Sequence, residues 1–239
     1  MGSEHQLHRR NRLLAALRPD DFALLEADLQ VVLVGEGELL HLPGDVIQKV
    51  YFLHSGIVAL MAVSKDGDAV STASVGREGA IGTIAGSGTV RAFTRALVQA
   101  SGTASRMSIA RFRSALRKSD GLSDLITRYH MAMMAQVQQT SLCNSLHDAT
   151  SRLSRLLLLL ETQGDKENMS FTQDRLANML GLRRTSVTLA AQELQAQGLI
   201  KYRRGRIEIL DRRALGAVAC ECYGVLRRAF DQMLEDKRH

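Results

Sequence analysis

The 239-residue sequence has three cysteines, two prolines and no tryptophan, and aromatic residues make up 4% of it. Three cysteines are too few for a disulfide framework. Cys143 stands alone, and Cys220 and Cys222, two residues apart, point to different sides of any helix that holds them. Neither spacing is that of a zinc site and the seven histidines are scattered, so neither metal nor cofactor is expected. No apolar run approaches the ~20 residues of a membrane span; Leu156 to Leu160 is far too short. The N-terminus has basic residues but neither an apolar stretch nor a cleavage site, which argues against a secretory signal. The expectation is a cytoplasmic protein with no membrane partner.

What is present is uneven. Hydrophobic residues make up 45% of the chain, enough for a globular protein, and its length suggests two domains. The net charge of +6 is concentrated towards the C-terminus. Residues 1–148 carry 15 Lys and Arg against 14 Asp and Glu, whereas residues 149–239 carry 16 against 11. A basic rear half either meets a polyanion or is a solvated surface, and charge alone does not separate the two.

Residues 10–30 read as short helices, broken at Arg18-Pro19. From about Val31 the pattern changes to short strands and glycine turns. Gly56 to Val63 and Ala69 to Val75 form a strand pair around the hairpin turn Lys65-Asp66-Gly67-Asp68, since Asp-Gly readily supplies positive φ. Glycines then punctuate the chain to about residue 90, which predicts a small β-roll or barrel. A long helix follows. Leu122, Ile126, Tyr129, Met133, Val137 and Thr140 recur at steps of four and three, a coiled-coil seam. That stripe packs either on a second copy or on the chain's own β-domain. Its unbroken length, from Leu122 to His147, favours a dimer. Asp148 starts another helix with Leu153, Leu156, Leu157 and Leu160 on its apolar side, and residues 164–168 form a polar loop.

The segment from Phe171 to Ile200 carries the functional signal. Thr172 is placed to cap a first helix, Leu176, Ala177 and Leu180 form its inner side, and Gly181 is a tight turn. A second helix runs from about Arg183 to Gln197, ended by Gly198. At 100° per residue, Val187, Ala190, Ala191 and Leu194 share one side, and Arg184, Thr185, Thr188 and Gln192 share the other. The first side must be buried; the second offers groups that base edges can bond. This is a helix-turn-helix pattern. Ile207 and Ile209 then alternate with Glu208 around a basic tip, Arg203-Arg204-Gly205-Arg206, the wing of a winged helix. Following a reading helix, such a tip suits phosphate contacts, which fix position without reading sequence.

In this order and spacing, Leu42-Pro43-Gly44-Asp45, Tyr51-Phe52-Leu53-His54-Ser55-Gly56, Gly76-Arg77-Glu78-Gly79 with Gly82, Asp148-Ala-Thr-Ser-Arg152-Leu153 and the winged segment resemble the Crp/Fnr family of bacterial transcription regulators over nearly the whole chain. The resemblance implies an α+β fold: a cyclic-nucleotide-binding-type β-roll over 1–120, a dimerisation helix over 121–147, and a winged helix-turn-helix with a C-terminal helix over 148–239. It places Thr172, Gln173, Arg183, Arg184, Thr185, Ser186 and Thr188 at or near DNA, with Arg203, Arg204 and Arg206 in the wing. The implied function is that of a homodimeric, non-enzymatic regulator on a palindromic operator in double-stranded DNA, with RNA polymerase as a partner.

The departures from that pattern bear on the effector. Thr83 stands where cyclic-nucleotide binders carry a carboxylate, and Ala92 with Phe93 where they carry an Arg and its small neighbour; Arg91 is one residue off. Without the bidentate Arg a buried phosphate lacks its partner, so the effector is unknown and cyclic AMP is not expected. No cysteine precedes Cys143, which rules out the N-terminal iron–sulfur cluster of the family's oxygen sensors. His41 and His54 lie in the roll as candidate haem ligands, although His54 falls in the general strand motif. Leu189 stands where well-known members place a DNA-contacting Arg, and Arg183 where they place a capping Ser. An enzyme would need a His and carboxylate cluster on neighbouring strands, which is lacking. The other alternative is a nucleotide-sensing regulatory subunit of a signalling enzyme. The winged C-terminal segment, Thr83 and Ala92 count against it.

Overall fold

The computed structural model describes residues 2–163, 171–203 and 205–235. The polar loop expected over 164–168 and the wing residue Arg204 lie outside the described residues. Three short helices open the chain, α1 (Gly2–His8), α2 (Arg12–Ala16) and α3 (Pro19–Glu26). Proline at the start of α3 ends the preceding turn and pre-sets the φ that the new helix needs. Asn11 holds this segment to the roll. Its Oδ1 accepts from Leu14 N–H, and its amide donates to the carbonyls of Leu53 at 2.9 Å and Gly79 at 2.8 Å.

The strands β1 (Gln30–Val34), β2 (Leu39–His41), β3 (Lys49–Leu53), β4 (Ile57–Val63), β5 (Ala69–Val75), β6 (Ala80–Ile81), β7 (Arg95–Ala100) and β8 (Gly102–Ser108) make two four-stranded antiparallel sheets. Their orders are β1-β8-β3-β6 and β2-β7-β4-β5, the expected roll. Val34, Leu53, Val58, Val75, Val98 and Ala104 fill the space between them. The β4–β5 hairpin closes with Ser64 N–H donating to Asp68 O at 2.8 Å and Gly67 at φ 91°.

After α4 (Ile109–Lys118) comes the 27-residue α5 (Asp120–Leu146), its first turn capped by Ser119. Here the structure corrects the first half of the expected seam. Leu122, Ile126 and Tyr129 are 1%, 5% and 1% exposed within their own chain, packed on the roll. Tyr129 Oη both donates to Ala80 O and accepts from Ala80 N–H. Met133 joins the same core, Thr140 is half-buried, and Val137 is exposed. The period located an apolar face, but it does not say which body covers it; as far as Met133 the roll and the N-terminal helices do. The outward stripe of α5 is a different one: Thr127, Met131, Met134, Gln138 and Leu142, at steps of four, three, four and four.

Helix α6 (Ala149–Gln163) is buried from Arg152 to Leu160, because the roll, α5 and the C-terminal elements enclose it. Then follow α7 (Gln173–Leu180), α8 (Arg184–Ala196), the hairpin β9 (Ile200–Arg203) and β10 (Arg206–Ile209), α9 (Arg212–Val218) and α10 (Cys222–Leu234), which returns along α5. Among the described residues no helix is long and apolar enough to cross a membrane.

Between the roll and the N-terminal helices, Ser105 Oγ lies 2.6 Å from His8 Nδ1 and 2.6 Å from His54 Nε2, with all three side chains buried. This is a core role for His54. Burial and then the neighbouring His8 push the pKa of His54 down to about 4, and burial lowers that of His8. In the unfolded chain histidine titrates near ~6.5, so between that pH and about 4 the unfolded state binds more protons and stability rises with pH. The melting temperature should therefore fall as pH drops from 7 to 5, and His54→Gln should flatten that dependence. An unchanged pH slope in the variant would contradict the neutral, buried imidazole.

Candidate nucleic-acid interface

The two helices of the C-terminal pair are set by local chemistry. Thr172 caps α7 through its Oγ1, which accepts from Arg175 N–H. Gly181 then takes φ 61°, a left-handed turn at which other residues are strained, and a Cβ there would sit 2.6 Å from Val70 Cγ2 of β5. The turn between the helices is therefore seated on the β4–β5 hairpin. Gly198, at φ 72°, ends α8.

Helix α8 buries Val187, Ala190, Ala191 and Leu194 against Leu156, Leu157, Leu160, Leu176 and Leu180. Its opposite face carries Arg183, Arg184, Thr185 and Gln192, all exposed, with Ser186 and Thr188 half-buried and Leu189 67% exposed. Arg183 is the N-cap residue and its side chain makes no cap bond, so the first N–H groups of α8 point outwards without a side-chain acceptor. Thr188 Oγ1 lies 2.7 Å from Gln173 Oε1 and 3.0 Å from Arg184 O, which links the start of α7 to the polar face of α8. Arg184 pairs with Asp174 at 3.3 Å, both side chains more than 60% exposed. Asp174 was not singled out from the sequence. Only its place in the first turn of α7 could have pointed to it.

The wing lies beside this face. Strands β9 and β10 pair Arg203 with Arg206, both exposed. Tyr202, whose pKa burial raises, donates its hydroxyl to Phe171 O at 3.1 Å, and its N–H donates to Gln195 Oε1 at 2.7 Å. These bonds fix the wing to the start of α7 and to α8. Thr172, Gln173, Arg183, Arg184, Thr185, Ser186, Thr188, Arg203 and Arg206 thus lie on or at the starts of α7 and α8 and on the hairpin, with all four arginines exposed.

The unit is also tied to the roll and to α5. Arg175 pairs with Glu36 of the β1–β2 turn. Arg152, 6% exposed, donates to Leu180 O at the end of α7 and to Asn144 Oδ1 of α5 at 2.8 Å. At the other end of α6, Gln163 donates to Glu78 Oε1 at 2.8 Å and to Ser74 O at 3.1 Å. Burial raises the pKa of Glu78, partly offset by the N–H of Gly76.

In the roll, Thr83 is buried with its Oγ1 3.0 Å from His130 Nε2 of α5. Ala92 packs with Ile47 and Ala85, Phe93 is 86% exposed, and Arg91 donates outwards to Gly44 O at 2.8 Å. Arg113 of α4 donates to the carbonyls of Ala85 and Gly88 in the turn that follows Thr83. His41 is half-buried, and burial lowers its pKa.

Residues 151–218 match the Crp-like helix-turn-helix domain family. No curated protein matches the chain in sequence. Solved structures match it in fold. FixK2 from Bradyrhizobium japonicum has a TM-score of 0.70 at 15% identity, over 80% of this chain and 98% of its own. The c-di-GMP responsive global regulator CLP of Xanthomonas campestris has 0.62 at 17%, over 81% and 100%. A Crp/Fnr-family transcriptional regulator from Thermus thermophilus, TTHA1359, has 0.60 at 23%, over 80% and 98%.

Proposed function

We propose that this chain, a Crp/Fnr-type transcription regulator with a Crp-like helix-turn-helix DNA-binding domain, works as a homodimer that lays α8 of each copy in the major groove of a palindromic operator. The observation that carries this reading is the exposed face of α8. It begins on an uncapped first turn and presents Arg184, Thr185, Thr188 and Gln192 opposite a fully buried apolar side. A guanidinium at Arg184 can donate two hydrogen bonds to guanine O6 and N7, and the exposed Leu189 suits a thymine methyl. The Arg184–Asp174 pair is solvent-exposed and so worth little, which leaves Arg184 cheap to redirect. Arg183, Ser186, Thr172 and Gln173 lie at helix starts, where N–H groups and side chains suit phosphate; Arg203, Arg206 and, by sequence, Arg204 suit the backbone on the wing side.

In this reading residues 1–120 are the sensor-type unit, 121–147 the dimer helix and 148–239 the DNA-binding unit, in a cytoplasmic, non-enzymatic protein that also meets RNA polymerase. The exposed stripe Met131, Met134, Gln138 and Leu142 supports a seam between two copies on the α5 face opposite Tyr129. The buried Thr83, the buried Ala92 and the outward Arg91 support an effector other than cyclic AMP.

Two outcomes test the reading. Arg184→Ala should weaken operator binding and relax the preference at one base pair of each half-site, at a cost of about 1–3 kcal/mol of discrimination. Arg206→Ala should weaken all sequences alike and make the salt dependence shallower. Binding measured against operator variants over a salt series separates them; Arg184→Ala with an unchanged preference and a flattened salt slope would make Arg184 a phosphate clamp. For assembly, Met134→Glu with Leu142→Glu should give folded monomers by light scattering and circular dichroism, with operator affinity lost. Persistent dimers would place the seam elsewhere.

A further inference from the structure

The sequence expectation that Cys143 stands alone, and that Cys220 and Cys222 diverge on one helix, does not survive folding. Cys220 lies in the turn after α9, and Cys222 is the first residue of α10, so the two are not on a common helical face. The close of α9 and the return of α10 along α5 bring both to the last turn of α5. There Cys143 and His147, four residues apart, share one face. Cys143 Sγ lies 3.6 Å from Cys220 Sγ, and Cys222 Sγ lies 3.5 Å from His147 Nδ1. One donor atom from each of the four side chains falls within 4.8 Å of all the others. Cys143 and Cys222 are fully buried, Cys220 is 8% exposed and His147 is half-buried.

We propose that Cys143, His147, Cys220 and Cys222 form a mononuclear zinc site that ties the end of α5 to the start of α10. Zn–S bonds of about 2.3 Å and a Zn–N bond of about 2.0–2.1 Å in a tetrahedron put neighbouring donors roughly 3.5–3.8 Å apart. The two contacts above have that length. Thiolate-rich tetrahedral sets select zinc over the harder divalent ions, and four protein ligands make a closed, structural site rather than a catalytic one.

The surroundings fit the same assignment. His147 turns Nδ1 to the thiols, and its Nε2 lies 3.2 Å from Glu221 Oε1, the carboxylate–histidine arrangement that orients a metal-bound imidazole. Gln139 donates to Cys222 Sγ at 3.0 Å, a bond that a thiolate accepts better than a thiol. Three thiolates and a neutral imidazole around Zn²⁺ carry one net negative charge. The buried guanidiniums of Arg152 and Arg155 act on this cluster electrostatically, and neither Nε has a hydrogen-bond partner among the described residues. A disulfide between Cys143 and Cys220 would use two of the four groups and leave the Cys222–His147 contact and the Glu221 bond without a purpose.

The full-length chain, purified under reducing conditions without added metal, should carry one zinc per chain by mass spectrometric metal analysis. After exchange to cobalt(II), it should show the intense visible bands of tetrahedral thiolate coordination. Cys143→Ser and Cys222→Ser should lose the metal. Glu221→Gln removes no ligand and should stay folded while its zinc affinity falls about 10–100-fold against a competing chelator. None of these readouts depends on DNA binding. A folded, reduced wild-type chain that takes up neither zinc nor cobalt overturns the proposal. So does a Cys143–Cys220 disulfide in the purified protein, iron with acid-labile sulfide in place of zinc, or an unchanged zinc affinity in Glu221→Gln.

Discussion

The buried guanidinium of Arg152 joins three helices at the start of the helix-turn-helix unit. Arg152 lies on α6, yet its guanidinium satisfies a terminal carbonyl of α7 at Leu180 and an amide oxygen of α5 at Asn144. A helix C-terminus has orphan carbonyls and a partial negative charge, so an arginine there meets both needs at once. Leu180 immediately precedes the Gly181 corner, so the same contact fixes where α8 starts and which way its polar face looks. Removing the guanidinium would leave the buried Leu180 carbonyl unpaired and cut the bond to Asn144, and a lysine could not reproduce the fork.

The remaining attachments act in series with this one. Helix α6 is enclosed along Arg152–Leu160, and its far end is bonded through Gln163 to Glu78 and Ser74 of the roll. Tyr129 joins α5 to Ala80 near the same turn. A change at the Gly76–Gly79 turn would therefore have a short, packed route to α6 and from there to α8. The thiol and imidazole cluster flanks Asn144 on α5 through Cys143 and His147, so a metal there would stiffen the same junction.

Much of this was legible in the chain because its causes are local. The Asp66-Gly67 turn, the Thr172 cap, the Gly181 corner and the apolar side of α8 are each set by residues within a few positions, and the structure forms them where the sequence puts them. What was misread depended on distant partners. Leu122, Ile126 and Tyr129 form a regular stripe, but its cover is a roll that only the tertiary fold brings alongside. Cys143 and Cys220 are 77 residues apart, and no spacing rule joins them until α10 returns along α5. The i, i+4 relation of Cys143 and His147 was the one local hint. The Asp174 partner of Arg184 and the Glu36 partner of Arg175 were hidden for the same reason.

The central claim is that two copies of α8 read DNA as a symmetric pair. The most direct test is selection of bound duplexes from a random pool by the purified full-length protein, followed by sequencing. The account predicts one enriched inverted repeat, its half-sites about one helical turn apart (~34–36 Å between centres). A single asymmetric half-site, or enrichment with no sequence preference, would contradict it.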